Sequence, residues 1–142
     1  MNDLWISPDG TKLYMTGTTN DRVYYYTFGT AWSLGTLTYV NSFLVSSEEL
    51  DPTALYVKPD GTKFWIVGTI NDTIYEYTMG TPWDITTSVY SGNSLLVSSV
   101  DATVNGIRFH PDGTKFYLLG TTADILTEYS CTAWTIVGAV AT

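Results

Sequence analysis

The chain has 142 residues, a one-domain length. Of these, 44% are hydrophobic, 15% aromatic and 14% charged. An average domain carries about 25% charged residues, so this surface relies on uncharged polar groups, chiefly 24 threonines. Fourteen acids against six bases give a net charge of −8. That argues against nucleic-acid and anionic-membrane partners, which need a basic patch. The apolar runs are too short to span a bilayer as a helix. The opening stretch MNDLWISPDG shows neither the basic nor the apolar region of a secretory signal. A single cysteine, Cys131, cannot form an intrachain disulfide framework, and a single histidine, His110, removes most histidine-based catalysis and most transition-metal sites.

The chain repeats itself. PDGTK begins at Pro8, Pro59 and Pro111. Gly17-Thr18, Gly68-Thr69 and Gly120-Thr121 keep step, and an Asp closes the same stretch at Asp21, Asp72 and Asp124. Tyr26, Tyr77 and Tyr129 recur, as do Trp32, Trp83 and Trp134. Aligned without gaps, Leu4–Leu34 and Leu55–Ile85 share 16 of 31 residues. The chain is therefore a three-fold tandem repeat with a unit of about 51 residues, and its units run over about 1–50, 51–102 and 103–142.

Unit 1 opens with a strand at Leu4–Ile6, followed by a turn at Pro8-Asp9-Gly10, the strand KLYMT, and a turn closing at Asp21. A third strand holds Tyr26, a loop holds Trp32, and TLTYVNSFLVSS supplies a fourth strand. Unit 2 repeats this as LYVK, KFWIV, IYEYT and the strand within SVYSGNSLLVSS. Unit 3 has the KFYLL strand, but its tail TIVGAVAT is too short to match TLTYVNSFLVSS. The predicted count is four strands per unit, with the outer strand of unit 3 short or missing. β-Branched and aromatic enrichment, hairpin spacing and the Gly and Asp turn chemistry support strands. No segment sustains a 3.6-residue period.

KLYMT, KFWIV and KFYLL are apolar on consecutive residues, which predicts sheets covered on both faces. Four-stranded antiparallel units covered by copies of themselves are the blades of a β-propeller. TALYVKPDGTKFWIVG, IYEYTMGTPWDI and SLLVSS resemble the PDGTK-containing propeller repeats of phage and marine bacterial proteins. That resemblance covers nearly the whole chain and implies a virion or extracellular setting. It is specific for the repeat and not for a function. The kelch Gly-Gly pair is absent, and Trp83-Asp84 is not repeated at Trp32-Ser33 or Trp134-Thr135.

Three blades cannot close a ring of the usual 4–8. An open wedge exposes two flanks of about 400 Å² each, and covering one is worth about 10 kcal/mol at roughly 25 cal/mol per Å². The expectation is an all-β, six-bladed ring completed by two chains, in which unit 3 of one copy meets unit 1 of the other. The rival explanation is that the chain is a segment of a longer propeller.

Few residues carry chemistry. Trp32, Trp83 and Trp134, one per unit, suit either sugar stacking between blades or the plugging of gaps between them. The differing neighbours Ser33, Asp84 and Thr135 favour plugging. Arg108 and His110 stand where the copies disagree, opposite Trp5 and Tyr56 and opposite Ser7 and Lys58, and are weak ligand-binding candidates. Asp21, Asp72 and Asp124 offer oxygen ligands that suit Ca²⁺, although no EF-hand spacing is present and such residues usually cap turns. No cofactor is expected, and no G-x-S-x-G elbow exists. The expected function is a non-enzymatic structural or interaction scaffold whose partner is itself. The alternative is a carbohydrate-binding propeller lectin with Trp-containing sites between blades. A channel-metal hydrolase ranks last, because the inner strands offer Trp5, Ile6, Tyr56, Val57 and Phe109.

Overall fold

The computed structural model describes residues 1–142. Twelve strands form three four-stranded antiparallel sheets, one per unit and each in sequence order. Unit 1 holds β1 (Asp3–Ile6), β2 (Lys12–Gly17), β3 (Arg22–Phe28) and β4 (Leu37–Leu44). Unit 2 holds β5 (Pro52–Val57), β6 (Lys63–Gly68), β7 (Thr73–Met79) and β8 (Ser88–Leu96). Unit 3 holds β9 (Val104–Phe109), β10 (Lys115–Gly120), β11 (Leu126–Thr132) and β12 (Thr135–Ala141). Between the third and fourth strands of units 1 and 2 lie single 3₁₀ turns, Leu34–Thr36 and Ile85–Thr87.

The PDGTK motif builds the first hairpin of every unit. In unit 1 the Gly10 N–H donates to the Ser7 carbonyl at 2.8 Å, and Ser7 N–H reaches Lys12 at 3.0 Å. Closing so tightly puts Gly10 at φ +69°, where a Cβ is disfavoured. The Asp9 carboxylate accepts the Thr11 N–H at 3.0 Å and the Thr11 hydroxyl at 2.8 Å. Asp60 with Thr62 and Asp112 with Thr114 repeat both bonds.

The fourth strand of unit 3, expected to be short or missing, is the short one, with seven residues against eight and nine in units 1 and 2. Its economy lies in the connection. Thr132 pairs with Thr135, so only Ala133 and Trp134 form the turn, at φ +48° and +65°. Two consecutive positive φ values are those of a type I′ hairpin. The residues that units 1 and 2 place in a 3₁₀ loop are absent here, and the tail TIVGAVAT starts pairing at once.

The sheets pack face to face, with β5 touching both β1 and β9. Unit 2 is the middle layer. Leu55, Val57, Phe64, Trp65, Ile66, Val67 and Ile74 have no exposed surface, which accounts for the unbroken apolar run in β6. The equivalent strand β10 in unit 3 alternates, with Leu118 buried and Leu119 exposed. The outer strands β4 and β8 are mostly exposed.

Candidate functional site

His110 stands beside the PDG turn of unit 3, its Nδ1 2.7 Å from Asp112 Oδ1. The two equivalent residues make the same contact. Ser7 Oγ donates to Asp9 at 2.5 Å and Lys58 Nζ to Asp60 at 2.7 Å. Three different side chains therefore do one job, which is to hold the turn carboxylate. The Ser7 hydroxyl, followed by the Thr11 N–H, pulls the Asp9 carboxyl down to about 2. Asp112 is likewise lowered to about 2, first by the Thr114 hydroxyl and N–H and then by His110.

The three tryptophans are equivalent too. Trp32, Trp83 and Trp134 sit at positive φ, and each N–H donates at 2.9 Å to the carbonyl of a turn glycine, Gly10, Gly61 or Gly113. Each indole fills the space that a Cβ on that glycine would need. The other face of Trp83 stacks on Trp5 of unit 1, at 6.0 Å and 28°. Trp134 stacks on Tyr56 and Trp65 of unit 2. Trp32 has no neighbouring unit on that side and is 60% exposed. Beside Trp83 an open pocket of about 440 Å³ is lined by Tyr25, Asn41, Asp84 and Thr86 among others. In it the Asp84 carboxylate already accepts the Thr86 N–H and hydroxyl.

Asp21, Asp72 and Asp124 all lie in the left-handed region, φ +46° to +52°, at the turn between the second and third strands. Asp72 Oδ1 is buried without a hydrogen-bond partner. No three acidic, histidine or cysteine side chains gather where they could hold a metal ion. The acids that organise these turns are two others. Glu49, fully buried, accepts the N–H groups of Asp51, Ile70 and Asn71 at 3.0, 3.3 and 3.4 Å. Asp101 accepts those of Ala123, Thr103 and Thr122, which hold its carboxyl below the usual range. Each linker thus delivers a carboxylate into the turn of the unit that follows. The signal was in the sequence: both acids stand four residues after the valine of LVSS, at Val45 and Val97.

Arg108 bridges units 1 and 3 across the inner strand of unit 2. Its guanidinium lies 3.3 Å from the Asp3 carboxylate and donates to the carbonyls of Leu55 at 3.2 Å and Ile107 at 2.6 Å. Asp3 also accepts the Leu55 N–H at 2.9 Å, on the free edge of β5. Arg108 and His110 are two residues apart but serve different partners, so they form no joint site. Cys131 occupies the place of Phe28 and Met79: all three N–H groups reach the threonine of PDGTK. Burial pushes its thiol up, with Asp112 adding to the effect.

No family model and no curated protein matches the chain. Solved structures do match. A protein from Lactobacillus plantarum superposes with a TM-score of 0.68 at 21% identity, over 99% of this chain and 40% of that one. The β-propeller domain of Myceliophteria thermophila Cps50 (Swd1) gives 0.64 at 13%, over 92% and 40%. The periplasmic gluconolactonase of Pseudomonas aeruginosa gives 0.62 at 15%, over 90% and 34%. This is a β-propeller-like fold. The three sheets are blades, and the chain spans about 40% or less of the length of these structures. At such identities the likeness carries the fold alone.

Proposed function

We propose that the chain is a non-enzymatic interaction scaffold that assembles head to tail with copies of itself, two copies making a six-bladed ring. The observation that carries this reading is the contrast between the middle blade and its neighbours: β6 is buried on both faces, whereas blades 1 and 3 each have one covered and one open flank. Support for a non-catalytic role comes from the polar groups at which the repeats differ. His110 holds a turn, and Arg108 is tied to Asp3 and two carbonyls. Light scattering tests the assembly: a particle of about twice 15.7 kDa is expected, and a lone 15.7 kDa species at micromolar concentration overturns it.

One observation favours the alternative lectin reading, the pocket that Trp83, Tyr25, Asn41 and Asp84 line between blades 1 and 2. Aromatic faces with amide and carboxylate groups suit sugar hydroxyls and C–H faces. A saturable tryptophan-fluorescence change on titration with sugars supports this second role, and a flat response across a glycan panel removes it.

A further inference from the structure

The two junctions inside the chain are built alike. Partners directly opposite in an antiparallel pair share a face, so the register assigns each side chain to one flank of its blade. Blade 1 presents Trp5, Tyr14 and Val23 to blade 2. The same positions in blade 2, Tyr56, Trp65 and Ile74, face blade 3. The receiving flanks also match: Leu55, Val57 and Phe64 in blade 2, and Ile107, Phe109 and Phe116 in blade 3. A tryptophan locks each junction. The Tyr14 hydroxyl donates to the Trp83 carbonyl at 2.7 Å in the first, and Trp65 stacks on Trp134 in the second.

Each half of this junction recurs once more without its counterpart. Leu126 holds the place of Val23 and Ile74, which are fully buried, yet it is 70% exposed. It lies with Tyr117, in the place of Tyr14, and with Leu119 around an open pocket of about 320 Å³. On blade 1, Leu4 holds the place of the fully buried Leu55 and Ile107 and is 49% exposed. Ile6 and Leu13 follow it in the places of Val57 and Phe64, and Trp32 stands uncovered beside them. The polar residues of the blade 3 flank do not oppose covering. Its Lys115–Glu128 pair, 2.6 Å apart, repeats the Lys63–Glu76 pair of blade 2, 2.9 Å apart, whose Glu76 blade 3 does cover.

We propose that the open flank of blade 1, with Leu4, Ile6 and Trp32, docks on the open flank of blade 3 of a second copy of this chain, at Tyr117, Leu119 and Leu126, in the geometry of the two internal junctions. The inference rests on the self-assembly reading and gives it a specific contact. Trp32 plays the part of Trp83, with its carbonyl facing the Tyr117 hydroxyl as that of Trp83 faces Tyr14. Two such contacts close a ring and remove about 1,600 Å² from water, the size of a standard stable interface.

The test compares wild type with Leu4→Glu and Leu126→Glu by light scattering at matched micromolar concentration, with circular dichroism to verify retained strands. Both leucines are surface residues of the single chain, so neither change disturbs its own core. A head-to-tail contact needs both flanks. Wild type is then at least twice 15.7 kDa, and each variant alone falls to 15.7 kDa. A wild type that is itself 15.7 kDa overturns both the assembly reading and this contact. A heavy wild type with only one variant dissociating means a flank meets its own copy. With neither dissociating, another surface is used. Either of these last two results overturns the contact and leaves self-assembly standing.

Discussion

The indole of Trp83 lies against Gly61: it fills the volume that a Cβ at Gly61 would occupy, while the backbone N–H of Trp83 donates to the Gly61 carbonyl at 2.9 Å. Both residues are left-handed, at φ +70° and +71°. For a bulky residue that conformation is unfavourable, and it persists because it brings the ring onto the turn of its own blade and against Trp5 of the previous one.

Gly61→Ala therefore destabilises the fold by more than about 2 kcal/mol. A left-handed alanine costs about 1–2 kcal/mol, and displacing the indole adds the loss of packing. Gly35→Ala is the control, since nothing lies within 4 Å of a Cβ there, and it changes stability by about 0.5 kcal/mol or less. Urea unfolding midpoints of the two variants check the difference.

Glu49→Ala removes the acceptor of three backbone N–H groups in a fully buried place. Donors left unsatisfied in this way cost about 1–3 kcal/mol. The expected loss is in that range. Hydrogen exchange should show it first at the amides of Ile70 and Asn71, ahead of the β6 core.

The repeat, the strands and the three turn families were legible because each rests on local chemistry: Gly and Asp at fixed places, and apolar runs between them. The tight connection into the short fourth strand of unit 3 was not legible. Ala133-Trp134 carries none of the Asn-Gly or Asp-Gly signal of a type I′ turn, and its left-handed tryptophan is stabilised by Gly113, twenty-one residues earlier. His110 misled for the opposite reason. Ser7, Lys58 and His110 look unrelated as letters but are all donors to an aspartate two residues on. The Asp3–Arg108 bridge joins residues 105 apart, a distance no local pattern spans.

Stability falls in acid through the PDG turns. The folded Asp9 and Asp112 carboxyls titrate at about 2, below the roughly 3.9 of an unfolded aspartate. Their contribution is complete above pH about 4 and is lost as the pH falls through about 2. Asp112→Asn keeps an acceptor for the Thr114 N–H but has nothing to titrate. Its urea midpoint should vary less between pH 4 and 2 than that of wild type.

Asp3→Ala frees both Arg108 and the Leu55 N–H. Arg108 is half exposed, so the ion pair itself is worth under about 1 kcal/mol. The larger response is local: the Leu55 amide on the open edge of β5 loses its acceptor. Amide exchange at Leu55 should accelerate while Ile66, on the neighbouring strand, stays protected.

The carboxylates of Glu49 and Asp101 bear on where such a chain can be cut and recombined. Each belongs by sequence to the end of one unit and by bonding to the next, so a module excised at residue 51 would leave its own turn without an acid. Transplantable cassettes should instead begin just before Val45 and Val97, carrying the acidic key together with the lock it fits.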